Sequence, residues 1–115
     1  MIKVQIFKKE NIIYAFDILG HASYDEYGKD IICSAVSMLV TNTINSIDYF
    51  TDDDIKLEAN NEKTGHIKFR VDISKKPYSR DTDILLRSLE LGLKNVVEQY
   101  GKKYIEIEEV QKNVT

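Results

Sequence analysis

The chain has 115 residues, 43% hydrophobic and 30% charged, the balance of a water-soluble fold with enough apolar side chains for one core. Sixteen basic against nineteen acidic residues leave a net charge of -3, which offers a nucleic-acid backbone no overall attraction. One cysteine and two histidines are too few for a compact zinc site and exclude an internal disulfide, so neither a metal nor a cofactor is expected.

No Pro/Gly/Ser-rich linker interrupts the chain, and residues 1–115 read as a single domain. No apolar run of about 20 residues stands out, and Met1 to Ile6 alternate instead of forming a secretory block. The expectation is a cytoplasmic protein without membrane association.

Ile2, Val4 and Ile6 alternate with Lys3 and Gln5. After the polar Lys8-Lys9-Glu10-Asn11 come Ile12, Tyr14, Phe16 and Ile18, which predicts a hairpin with these four on one face. The stretch from Tyr24 to Asp30 has no period and reads as a loop. A helix is expected from about Asp30, as N-cap, to about Tyr49, with Ile32, Ala35, Val36, Leu39, Thr43, Ile44 and Ile47 at helical spacing.

Asp52-Asp53-Asp54 reads as a solvated acidic turn. A second hairpin follows, with Ile55, Leu57 and Ala59 against Ile67, Phe69, Val71 and Ile73. Ser79 or Asp81 can cap a second helix carrying Leu85, Leu89, Leu93, Val96, Val97 and Tyr100 on one side, with Gly101 as its stop. Tyr104, Ile105 and Ile107 set against Glu106 and Glu108 suit a fifth strand. The order ββαββαβ predicts an α+β fold in two layers, one mixed sheet of about five strands with two long helices on one face. Gly92 inside the second helix signals close packing, for which a second subunit is one candidate.

Cys33 falls in the first turn of a helix begun at Asp30. There the unsatisfied amides and the positive end of the macrodipole stabilise a thiolate, and amides at the same helix start suit an oxyanion. His21, at the end of the second strand, is within reach of acting as its base. Asp30 serves as helix cap or as orienter of His21, and Ser37, one turn beyond Cys33, either contacts substrate or bonds back to its own helix. Tyr24, Tyr27 and Gly28 lie in the connection between base and nucleophile and suit a substrate loop. His66 reads as an exposed hairpin residue.

Gly20-His21-Ala22 followed by Gly28-Lys29-Asp30-Ile31-Ile32-Cys33-Ser34-Ala35-Val36-Ser37 resembles the signature of the bacterial ribosomal-processing cysteine proteases, and chain length and element order agree along essentially the whole sequence. The resemblance implies a homodimeric endopeptidase with Cys33 and His21 as its catalytic pair and Asp30 and Ser37 at supporting positions. It also implies a substrate, the N-terminal extension of a bL27-type large-subunit ribosomal protein, removed after aromatic residues before ribosome assembly. Two other readings stand beside it. A non-catalytic ribosome-assembly adaptor would have an inert Cys33, and a thiol redox sensor would react without cleaving peptides.

Overall fold

The computed structural model describes residues 1–20, 27–60, 66–74 and 76–112, with the side chains of 27–30 and 60 left aside. Within these residues the elements follow the order β1 (Ile2–Lys9), β2 (Ile12–Leu19), α1 (Tyr27–Phe50), β3 (Ile55–Asn60), β4 (His66–Val71), α2 (Arg80–Tyr100) and β5 (Ile105–Lys112). The strands form one mixed sheet in the order β3-β4-β2-β1-β5. Neighbouring strands run antiparallel except β1 and β5, which pair in parallel from Ile2 opposite Ile105 to Lys9 opposite Lys112. That pair needs a crossover, and the chain from β1 to β5 supplies it. The result is the α+β, two-layer arrangement that the element order predicts.

Strand pleating decides which face is covered. Val4 lies opposite Ile18, Ile6 opposite Phe16, and Phe16 opposite Phe69, so these side chains share one face. They are at most 2% exposed, and the Phe16 and Phe69 rings stack at 4.9 Å between centroids. Ile32, Val36, Val40, Ile44 and Ile47 of α1 and Leu86, Leu89, Leu93 and Val96 of α2 complete the same core. Burying each such side chain contributes roughly 1.5–3 kcal/mol.

The expected phase of β2 is broken in one place. Between Phe7 and Lys8 the register shifts, so that Phe7 faces Ala15 while Lys8 faces Ile13, and Tyr14 is the additional residue. A bulge of this kind moves every residue beyond it to the other face. Ile13 is therefore core, Ile12 is 43% exposed, and Tyr14 lies beside Phe7 with ring centroids 6.4 Å apart. The hairpin turns through Glu10 and Asn11, both at positive φ, the conformation of a two-residue primed turn.

On the helix-free face Arg70 forms an ion pair with Asp17 at 2.7 Å, and its guanidinium lies 5.1 Å from the centre of the Phe7 ring. This pair accounts for a carboxylate on the sheet face opposite the helices that is only 8% exposed.

The helix starts depart from expectation in different ways. At α2, Ser79 is the N-cap and accepts a hydrogen bond from the Thr82 amide. Asp53 accepts from the Ser79 amide at 3.1 Å, from the Ser79 hydroxyl at 2.7 Å and from the Thr82 hydroxyl. It is thus a structural acceptor joining the chain before β3 to α2, where a solvated turn was expected. Burial alone would raise its carboxyl, but the bonds from Ser79 and Thr82 outweigh that and hold it below the usual carboxylate value. At α1, the helix begins at Tyr27, so Asp30 is its fourth residue and not its cap.

On α2 it is Leu86, at 1% exposure, and not Leu85 that is fully buried, and Tyr100 is 47% exposed where burial was expected. Gly101, at φ +83°, ends the helix with its amide donating to the Val97 carbonyl. A Cβ added to Gly92 would stand 3.0 Å from Leu39 Cδ2, so Gly92 admits α1 of the same chain to close approach. The stretch Ile31–Phe50 is long and apolar enough to cross a membrane by length and composition, contrary to expectation. Its apolar stripe is nevertheless spent on the core against the sheet.

Candidate active site

Strand β2 ends at Leu19, and Gly20 follows with φ +80°. A Cβ there would lie 2.6 Å from the Met1 carbonyl oxygen, so both backbone conformation and space restrict this position to glycine. The chain that leads on to position 21 therefore leaves the sheet through a bend that other residues would strain. The sequence motif shows Gly20 beside His21; the structure supplies the reason for it. His21 and Tyr24 lie outside the described residues.

Cys33 occupies the second turn of α1, seven residues into a helix that starts at Tyr27. The first-turn placement expected from a cap at Asp30 is corrected by one turn. The four amides left unpaired at the helix start belong to residues 27–30, and an α-helix engages the amide of its seventh residue internally. The macrodipole acts mainly within the first turn, so its support for a thiolate at Cys33 is weaker than the sequence suggested. Tyr27 and Gly28, expected in a loop, belong to the first turn itself.

Cys33 packs in the core cluster beside Ile32 and Val36, which are 1% and 3% exposed. At 9% exposure it shares with Ile44 the outermost place in that cluster. The thiol therefore sits at the rim of the core, with apolar neighbours behind it. A thiolate in such surroundings needs a cation or hydrogen-bond donors beside it.

Ser37, at i+4 from Cys33, is exposed. Thr43 and Thr51 bond back to the carbonyls of Leu39 and Ile47 at 2.7 and 2.8 Å. Ser37 has no such bond among the described residues.

The second histidine is placed differently. His66 lies in β4 with Lys68 and Arg70 on the sheet face away from the helices, since Ile67 and Phe69 face the core opposite Ile18 and Phe16. Its Nε2 is buried and has no hydrogen-bond partner among the described residues, where an exposed residue was expected. The sheet separates it from the helix layer that holds Cys33.

The model of the family described as cysteine protease Prp matches residues 1–106. The ribosomal processing cysteine protease Prp of Staphylococcus aureus (strain Mu50) is 29% identical over 86 residues, covering 72% of this chain and 74% of that protein. Its namesake in Bacillus subtilis (strain 168) is 25% identical over 89 residues, covering 76% and 79%. Among solved structures, SMU.848 from Streptococcus mutans superposes with a TM-score of 0.88 at 24% identity, covering 97% of this chain and 96% of that one. The essential ribosomal processing protease Prp from S. aureus, in complex with a substrate peptide, gives 0.82 at 22% identity, covering 95% and 99%. These two superpositions establish a common fold. Because the family model spans nearly all of β1 through the start of β5, the chain belongs to the Prp family of cysteine proteases.

Proposed function

We propose that this protease removes the N-terminal extension of a bL27-type large-subunit ribosomal protein, with Cys33 as nucleophile and His21 as general base. One observation carries the assignment of the nucleophile: a cysteine protease requires a thiol, and the chain has one cysteine. Support for the base comes by exclusion: of the two histidines, His66 stands on the far face of the sheet, which leaves His21, next in sequence to Gly20. The substrate assignment rests on the names of the relatives, which are called ribosomal processing proteases.

His21 takes the thiol proton, and Sγ attacks the scissile carbonyl to form a tetrahedral oxyanion. Collapse expels the amine, which receives the proton from His21, and leaves an acyl thioester on Cys33. Water, deprotonated by His21, then hydrolyses the thioester and restores the thiol. In this scheme Asp30 orients His21 and Ser37 contacts substrate. Tyr24, Tyr27 and Gly28 form the segment beside the bound peptide.

The protease acts in the cytoplasm, where its substrate is made, and as a homodimer. Support for the dimer comes from the outer helix surface, where Phe50, Ile84 and Leu91 are 67%, 48% and 62% exposed. Ile84 joins two adjoining surface hollows, one reaching Phe50 and the other Leu91. Apolar surface continuous across two helices commonly marks an interface.

The test is cleavage of a peptide spanning the end of that extension, followed by mass spectrometry. Wild type and His66→Ala are expected to cut, while Cys33→Ala and His21→Ala do not. Retained cleavage by Cys33→Ala would refute the assignment. An intact peptide with wild type, together with a thiol no more reactive than free cysteine, would favour the adaptor reading.

A further inference from the structure

Strand β5 closes the sheet with one side paired to β1 and the other open among the described residues. An open edge of eight residues offers a row of amides and carbonyls to another extended chain. Beside it, between α2 and β5, lies a groove of about 630 Å³ floored by Val97, Ile105 and Ile107. Ile105 begins opposite Ile2, at the end of the sheet where β2 leaves for α1 and Cys33.

Acids predominate along this edge: β5 carries Glu106, Glu108 and Glu109 against Lys112, while Lys94 and Lys102 stand at the groove. Pleating sets Glu106 and Glu108 opposite Lys3 and Gln5, with Glu106 also bordering the groove beside Ile105 and Ile107. Glu109 and Glu90 are both held by Lys8 at 3.1 Å, and Lys94 lies 3.9 Å from Glu90. Among the described residues Glu106 and Glu108 have no ion-pair partner, and Glu108 accepts only from the Gln5 amide at 3.3 Å.

We infer that the β5 edge is an exosite for the basic part of the protein substrate, bound as an added strand. The occupant is an extended segment alternating apolar residues, laid against Ile107 and Val97, with Lys or Arg set against Glu106 and Glu108. A protein destined to bind RNA carries such basic segments, so the inference rests on the proposed function and extends it from the cleaved peptide to the body behind it. A second copy of this chain fits less well, because three glutamates against one lysine, Lys112, make two such edges repel on balance.

The experiment compares two substrates, the full-length recombinant ribosomal precursor and a short peptide spanning the cleavage site alone. Glu106→Lys/Glu108→Lys is expected to lower kcat/KM for the precursor on the order of 10-fold, mainly through KM, and to leave the peptide within about 2-fold. The milder Glu106→Gln/Glu108→Gln shows the same pattern with a smaller loss, and it decides the matter if the lysine pair does not fold. Titration of the precursor onto Cys33→Ala protein, with and without the edge substitutions, reads binding independently of cleavage. Weaker binding after substitution supports the exosite even if wild type were to cut neither substrate, an outcome that would sink the proposed function alone. Equal loss on precursor and peptide, or no loss on either, overturns it. So does dissociation of a dimer by the edge substitutions with precursor processing unchanged.

Discussion

The two helices of this protein begin in opposite ways. At α2, Ser79 caps the helix, Asp53 ties the cap to the chain before β3, and Asp81 and Asp83 place negative charge in the first turn. At α1, the first turn is Tyr27-Gly28-Lys29-Asp30, with a glycine in the helix and a lysine in the turn where the macrodipole is positive. The first is tied down by side-chain bonds; the second, six residues before Cys33, the proposed nucleophile, carries a glycine that weakens it.

The largest expected effect comes from the bend before α1. Gly20→Ala forces a side chain into a left-handed conformation against the Met1 carbonyl. It is expected to cost about 2–4 kcal/mol in urea unfolding and to reduce cleavage as well. A loss of stability with full activity per folded molecule would separate the bend from the site.

Next is Asp53→Asn, which removes charge-assisted bonds at the α2 start and should cost about 2 kcal/mol with specific activity unchanged. Its pH dependence has a definite sign. Asp53 is held below the usual carboxylate value, so its stabilising contribution is complete above that value and fades as pH falls below it. The difference between wild type and Asp53→Asn therefore shrinks in urea melts below about pH 4.

Gly28→Ala sharpens the contrast from the other side. It is expected to stabilise α1 by up to about 1 kcal/mol while lowering kcat several-fold, because the segment would be less able to adjust to a peptide. A gain in both quantities would remove any functional reason for glycine there. The smallest effect is at the opposite end of the sheet, where Glu10 adopts φ 52° in the hairpin turn. Glu10→Asn suits that conformation and should add about 0.5 kcal/mol without touching activity.

Much of this was legible in the sequence because period and burial agree. Ile2, Val4 and Ile6, the α1 stripe from Ile32 to Ile47, the Ser79 cap and the Gly101 stop all lie where spacing puts them. Three features were hidden for physical reasons. The bulge at Tyr14 depends on pairing with β1, which no local pattern encodes. The role of Asp53 depends on Ser79 and Thr82, more than twenty residues away in sequence. The start of α1 at Tyr27 was masked by Gly28, a residue that ordinarily argues against helix.

In the candidate site, Cys33 stood out as the sole thiol, and the Gly20-His21 motif was visible without its steric cause. His66 was read as exposed because its burial arises from the fold around it.

The central claim is that Cys33 becomes acylated during cleavage. The direct measurement is intact-protein mass spectrometry of enzyme mixed with substrate peptide and quenched in acid within the first turnover. The predicted result is an adduct with the mass of the acyl portion of the cut peptide, mapped to Cys33 by digestion and absent from Cys33→Ala. Peptide cleavage by Cys33→Ala, or an adduct mapped to any other residue, would contradict it.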